Sequence, residues 1–224
     1  MSRAESLKYP RTFHLSCSPG LQNDDRRHPD ESVFQDQRII ITEKIDGEGT
    51  TMTAERTYPR SPDARYHPSR DLMKANHAAR AHRIPEGWRV SGEYAYALHS
   101  VAYTKANGNA LRDWFLGFAI WDERNVALCW DETLEHFQAL DITPVPILYD
   151  GVYDRKIIEQ IAATLDTDRQ EGFVMRLADE LAYPTGTPPY GQFFQGVAKW
   201  VRRGHVQTDQ HWMHGPVIPN EIDS

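Results

Sequence analysis

RIIITEKIDGEG, residues 38 to 49, is the stretch on which the reading of this chain turns. Arg38 to Lys44 is β-branched and apolar, which predicts a buried strand. Lys44 stands at the end of it, followed by Asp46 and by a turn over Asp46 to Gly49, whose glycines would let a ligand come close to the backbone. A cationic side chain carried to the rim of a buried strand and followed by a glycine turn is either a solvated strand end or a reactive centre.

Working outward, TTMTAERT (Thr50 to Thr57) alternates well enough for a second strand. DLMKANHAARAH (Asp71 to His82) is rich in helix formers and stops before Pro85. Strands are expected in WRVSGEYAYA (Trp88 to Ala97), DWFLGFAIWD (Asp113 to Asp122) and NVALCW (Asn125 to Trp130). DETLEHFQAL (Asp131 to Leu140) opens on an acidic cap and reads as a short helix. PVPILYDG gives another strand, and Ile157, Ile158, Ile161 and Leu165 mark an amphipathic helix. EGFVMRLAD (Glu171 to Asp179) and GVAKWVRR (Gly196 to Arg203) are the last strands, separated by a loop over Tyr183 to Gly191. Residues 1 to 37 read as an irregular arm with one strand at most, residues 38 to 205 as the main domain, and residues 206 to 224 as a short tail, loose after His214. Strands and helices do not alternate regularly, so the fold class is α+β, with mainly antiparallel sheets flanked by helices.

The chain has 224 residues, 40% hydrophobic and 25% charged, as expected of one globular domain. A net charge of −7 argues against a broadly basic surface that coats nucleic acid, but leaves room for a local basic groove. No apolar run approaches the roughly 20 residues that span a bilayer, and the N-terminus lacks a signal-like apolar segment. With Cys17 and Cys129 the only cysteines, a disulfide framework is not expected and a cytoplasmic location is.

A lysine is a poor nucleophile while protonated. If Lys44 attacks phosphorus, nearby cations or a metal must lower its pKa. Four further stretches bear on this: SGEYAYA with Glu93, FLGFAIWDE with Phe118, EGFVMR with Glu171, and VAKWVRR with Lys199.

In their order and spacing, these stretches and EKIDGEG resemble the motifs of the covalent nucleotidyltransferase superfamily of ligases and capping enzymes. Within it the chain is most similar to the RNA ligase family (T4 RNA ligase 2-like). The resemblance covers about residues 38 to 205 and implies a nucleotidyltransferase (ATP-grasp-like ligase adenylation) domain. It further implies that Lys44 attacks the α-phosphate of ATP, that AMP passes to an RNA 5′-phosphate, and that a 3′-OH then seals the strand. Glu93 would hold the ribose hydroxyls, Phe118 would stack on adenine, and Lys199 would contact the α-phosphate. Glu171, with Glu93, would organise Mg²⁺, for which Mn²⁺ could substitute. Glu43, Asp46, Gly47 and Arg60 complete the expected nucleotide-binding set. Partners implied are RNA ends bearing 5′-phosphate and 3′-OH, and an end-healing or substrate-presenting protein.

Two positions depart from the superfamily pattern. Val201 stands where a second lysine is common; strand alternation puts Arg203 rather than Arg202 on the side of Lys199. Gly49 stands where DNA ligases and capping enzymes commonly carry an arginine, which favours the RNA ligase branch. In the loop RSPDARYHPSRD, Arg60, followed by Ser61, is preferred over Arg65 and Arg70 as a phosphate or substrate-end contact. His205, His211 and His214 match no strong zinc spacing. The short stretch after Arg203 leaves no room for an OB domain in this chain. The alternatives are a minimal DNA ligase or capping-type guanylyltransferase and, from another class, a nucleotide- or RNA-binding module without turnover.

Overall fold

The computed structural model describes residues 7–23, 25–60, 67–185, 188, 191–204 and 216–223. In chain order the strands are β1 (Phe13–His14), β2 (Arg38–Lys44), β3 (Glu48–Met52), β4 (Thr57–Pro59), β5 (Arg89–Tyr94), β6 (Phe115–Trp121), β7 (Val126–Ala127), β8 (Thr143–Pro144), β9 (Ile147–Val152), β10 (Gly172–Leu177), β11 (Leu181–Ala182) and β12 (Val197–Val201). The helices are α1 (Asp71–Arg80), α2 (Trp130–Leu140), α3 (Arg155–Thr164) and α4 (Gln192–Gly196).

Two sheets form. The first runs β1-β12-β10-β2-β9; the second runs β11-β7-β6-β5-β3-β4, with β8 added beside β6. Pairings are antiparallel except β1 with β12 and β6 with β8. The α+β class with largely antiparallel sheets is therefore what the structure has.

Strand periodicity sorts the side chains into layers. On the first sheet Ile39, Ile41, Phe173, Met175, Ala198 and Trp200 gather with Ile158 of α3 into one apolar layer. Each fully buried isoleucine of that layer contributes about 1.5–3 kcal/mol. Helix α3 is capped by the Asp154 side chain, which accepts from Lys156 N at 2.8 Å. On the second sheet Met52, Val90 and Tyr94 pack with Met73 of α1 and with Phe137 and Leu140 of α2. Helices thus cover one face of each sheet, and the remaining faces carry the residues Thr42, Lys44, Val174, Lys199, Ser91 and Glu93 that line a common cleft.

Several local expectations are corrected. The strand expected over Thr50 to Thr57 begins at Glu48 and ends at Met52. Thr53 Oγ1 then accepts from Glu55 N and Arg56 N, closing a turn that starts β4. The strand expected over Asn125 to Trp130 is only Val126–Ala127, because Trp130 already opens α2. Asp131 is therefore inside the first turn of α2, where its charge suits the helix dipole, and Cys129 takes the cap position without a side-chain cap bond.

The C-terminal segment is not loose where it is described. Pro219 bridges Ala97 and Ile222 bridges Leu111. Buried Asn220 donates from Nδ2 to Ala95 O at 2.9 Å and accepts at Oδ1 from Tyr103 N at 3.1 Å. Ser61, Arg65, His205, His211 and His214 lie outside the described residues. Cys17 and Cys129 are free thiols, and no helix among the described residues is long and apolar enough to cross a membrane.

Candidate active site

Register explains how distant stretches meet. Gly172 pairs with Lys44 on one side and with Val201 on the other, so Glu171 lies beside the end of β2. Val174 pairs with both Thr42 and Lys199. In the second sheet Gly49 pairs with Glu93, which in turn pairs with Leu116. Ile45 to Gly47 carry the chain from one sheet to the other. The resulting cleft has a volume of 320 Å³, and Glu43, Lys44, Gly47, Arg60, Glu93, Phe118 and Lys199 line it. That size is within the range of small-ligand sites. Phe118 of β6 and Val174 of β10 enter from opposite sheets.

Lys44 donates a hydrogen bond to Glu171, which is only 5% exposed. Burial of Lys44 alone would push its pKa down, but Glu171, Glu93 and Asp46 outweigh that and hold it above the ordinary lysine value. Without metal or nucleotide, the carboxylates beside the amine favour its ammonium form. Glu93 is half-buried, and its pKa is pushed up to about 8 by burial, with Glu171 and Asp46 adding and Lys44 opposing. Lys199 is lowered from the usual lysine range, chiefly by burial and further by Lys44, while Asp25 opposes the fall.

Asp46 is not among the residues lining the cleft. Its Oδ2 accepts from Ser100 N at 2.6 Å, Ser100 Oγ at 2.8 Å and Val101 N at 2.7 Å. Tyr103 Oη accepts from Asp46 N at 2.9 Å. The aspartate thus fixes the turn that follows Lys44. Gly47 also has a structural part: a Cβ there would stand 2.7 Å from Tyr94 O, so the backbone comes close to β5 at this point.

At Gly49 the absent arginine has a neighbour. A Cβ would meet Arg60 Cβ at 3.6 Å and Glu93 Oε2 at 3.8 Å, so the Arg60 stem lies alongside the bare α-carbon. Arg60 N donates to Gly49 O at 2.6 Å, and its Nε donates to Tyr9 O at 3.2 Å. Arg70 is instead engaged by Glu48, with Nε donating to Oε1 at 2.8 Å. The alternation argument for Arg203 also fails, since β12 ends at Val201: Arg202 is buried and Arg203 is exposed.

The arm contributes residues that sequence reading missed. Tyr9, Pro10 and Thr12 line the cleft, and the Tyr9 ring meets Phe118 edge-on at 4.8 Å between centroids. Asp25 accepts from Lys199 Nζ at 3.1 Å. Arg176, the last residue of EGFVMR, lines the cleft while its guanidinium donates to Leu128 O, Leu177 O and Asp179 O. The arm's polar, short-range pattern offered one strand at most and no sign that its residues reach the cleft.

Comparison with solved structures places this architecture. An archaeal ATP-dependent RNA ligase aligns with a TM-score of 0.54 at 13% identity, over 87% of this chain and 48% of that one. A variant of the Naegleria gruberi RNA ligase with ATP and Mn aligns with a TM-score of 0.51 at 18% identity, over 89% and 59%. A putative ATP-dependent DNA ligase from Aquifex aeolicus aligns with a TM-score of 0.50 at 14% identity, over 87% and 50%. At such identities the likeness is one of fold, and this chain spans about half the length of the chains it matches. No curated protein matches it in sequence. The family model described as RNA ligase matches residues 37–201, most of the chain and every motif that lines the cleft, and the chain belongs to the RNA ligase family.

Proposed function

We propose that the chain is an ATP-dependent RNA ligase joining 5′-phosphate and 3′-OH ends through a covalent AMP on Lys44. The observation that carries this reading is the convergence of Lys44, Glu93 and Lys199 on one cleft, from separate strands of two sheets, with Glu171 hydrogen-bonded to Lys44. A single α-phosphate has to meet an amine, a cation and a carboxylate-bound metal within a few ångströms, and proximity of that kind is worth much of a barrier.

In this reading the adenine lies between Phe118 and Val174, Glu93 faces the ribose hydroxyls, and Glu43 and Gly47 flank the nucleotide. Lys44 first sheds its proton; Glu171, already accepting a hydrogen bond from the amine, is the group in position to take it up. The Lys44 nitrogen then bonds to the α-phosphorus as the bond to the β-phosphate oxygen breaks and pyrophosphate leaves. Lys199 meets the negative charge on the α-phosphate. The 5′-phosphate of the RNA next displaces Lys44 from the AMP, and the 3′-OH displaces AMP to complete the phosphodiester. Arg60, at the rim, is suited to the phosphate of the incoming end.

Among the described residues no three Asp, Glu, His or Cys side chains group to hold a metal. Glu171 and Glu93 are the carboxylates that would hold a divalent cation, Mg²⁺ or Mn²⁺, which would neutralise the charge of the triphosphate.

Incubation with radiolabelled ATP or GTP and Mg²⁺, followed by a denaturing gel, tests the reading. Label from ATP should attach to the wild type and be abolished in Lys44→Ala with the fold retained. Undiminished labelling of the variant, or transfer from GTP alone, would overturn it.

A further inference from the structure

A buried polar cluster joins the arm to β12. His14 pairs in register with Lys199, and Leu15 N donates to Lys199 O at 2.8 Å. The chain then turns back: His14 bridges Arg27, and His14 N donates to Arg26 O at 2.8 Å, which returns Asp25 to the mouth of the cleft. The His14 ring is fully buried. Its Nδ1 lies 2.8 Å from Ser18 Oγ, and Ser18 Oγ accepts from Val201 N at 3.0 Å. Its Nε2 lies 3.0 Å from Asp25 Oδ2. The other carboxylate oxygen, Oδ1, meets Lys199 Nζ at 3.1 Å.

This arrangement differs from an exposed ion pair in two respects. Both partners are largely shielded, at 19% and 17% side-chain exposure, so solvent screens them less than it does surface pairs. The carboxylate is also braced from behind by a buried ring that is itself tied to the β12 backbone. Lys199 is a long side chain with several rotatable bonds, and burial with Lys44 nearby disfavours its charge. A fixed anion on its far side restricts the rotamers and favours the ammonium.

We propose that Asp25, braced by His14 and Ser18, is a positioning residue that holds the Lys199 ammonium over the cleft it shares with Lys44 and Glu171. The inference rests on the adenylylation reading for its kinetic consequence, but not for the contact itself. Asp25 does not touch the reacting atoms; it acts through Lys199. Being anionic, it does not assist binding of a triphosphate. Its removal should therefore slow the step in which charge develops while leaving nucleotide affinity unchanged or improved.

The test uses Asp25→Asn, Asp25→Glu and His14→Gln in the full chain, each checked by thermal unfolding. Single-turnover adenylylation as a function of ATP should show Asp25→Asn slowed about ten-fold or more at saturation, with an unchanged or lower half-saturating ATP concentration. Asp25→Glu should recover part of the rate, and His14→Gln should fall between. A simple staple between arm and sheet would lower stability without this split. The second readout needs no activity: isotope-paired acetylation by acetic anhydride, read by mass spectrometry without nucleotide. Lys199 in Asp25→Asn should acetylate about three-fold faster or more than in the wild type, with Lys44 changed far less. An unchanged saturating rate, or unchanged Lys199 acetylation in a folded Asp25→Asn protein, would overturn the proposal. If the wild type takes no label from ATP, the functional reading fails separately, and the acetylation result still decides the contact.

Discussion

Glu93→Gln offers a direct measure of how much negative charge the cleft holds. Burial, with Glu171 and Asp46 nearby, lifts the Glu93 pKa from 4.5 to about 8. Between those values the native state keeps a proton that the unfolded chain has lost. The stability owed to Glu93 is therefore whole below the ordinary glutamate range, declines as pH rises, and levels off above about pH 8. The slope in that window is about 1.4 kcal/mol per pH unit, so wild type should lose about 2 kcal/mol or more relative to the Glu93→Gln variant between about pH 5 and about pH 7. Glutamine keeps the shape of the protonated acid and does not titrate, so other groups cancel in the comparison. Urea unfolding of both proteins, free of metal and nucleotide, at several pH values gives the difference directly. A stability gap that does not change with pH would mean that Glu93 ionises like a surface carboxylate. The case for an excess of carboxylate suited to a cation would then be wrong.

Two other outcomes are expected. Gly47→Ala should cost about 1–3 kcal/mol, because its Cβ would press on Tyr94 O at 2.7 Å, where backbone rather than a flexible side chain must yield; an unchanged melting temperature would show that β5 gives way freely. Sealing of matched 5′-phosphate breaks at fixed salt should be faster with a ribose than a deoxyribose at the 3′-OH terminus, since the 2′-hydroxyl is what distinguishes the attacking RNA end. Equal or faster joining of the all-DNA break would move the substrate to DNA.

What the sequence made legible follows from the range over which each signal acts. Strands β2, β6, β10 and β12 are runs of branched and aromatic residues, and their layering needs only a period of two. Their chemistry-bearing residues, Lys44, Phe118 and Lys199, could be placed on strands for the same reason. The arm was illegible because β1 is only Phe13–His14 and its partners, Ala198 and Lys199, stand near the other end of the chain; nothing local encodes the pairing. The carboxylates that raise the Lys44 pKa are hard to read locally for a related reason. The motif EKIDGEG shows Lys44 with Glu43, Asp46 and Glu48, whereas Glu171 and Glu93 arrive through register. Asp46 was read as a ligand contact because it sits in the motif, yet only the fold reveals three donors from Ser100 and Val101 waiting for it.

The C-terminal segment has a practical bearing on how this protein is handled. Asn220 fastens Tyr103 by its backbone, and the Tyr103 hydroxyl in turn fastens the amide of Asp46, two residues past Lys44. Trp114 Nε1 also donates to Asn220 O at 3.3 Å. Protease trimming that removes Asn220, or a fusion that tugs on this segment, therefore reaches Lys44 by a short mechanical route. A preparation shortened at that end should be judged as an altered enzyme rather than a tidier one. Preparations compared for activity should have their C-terminal mass verified first.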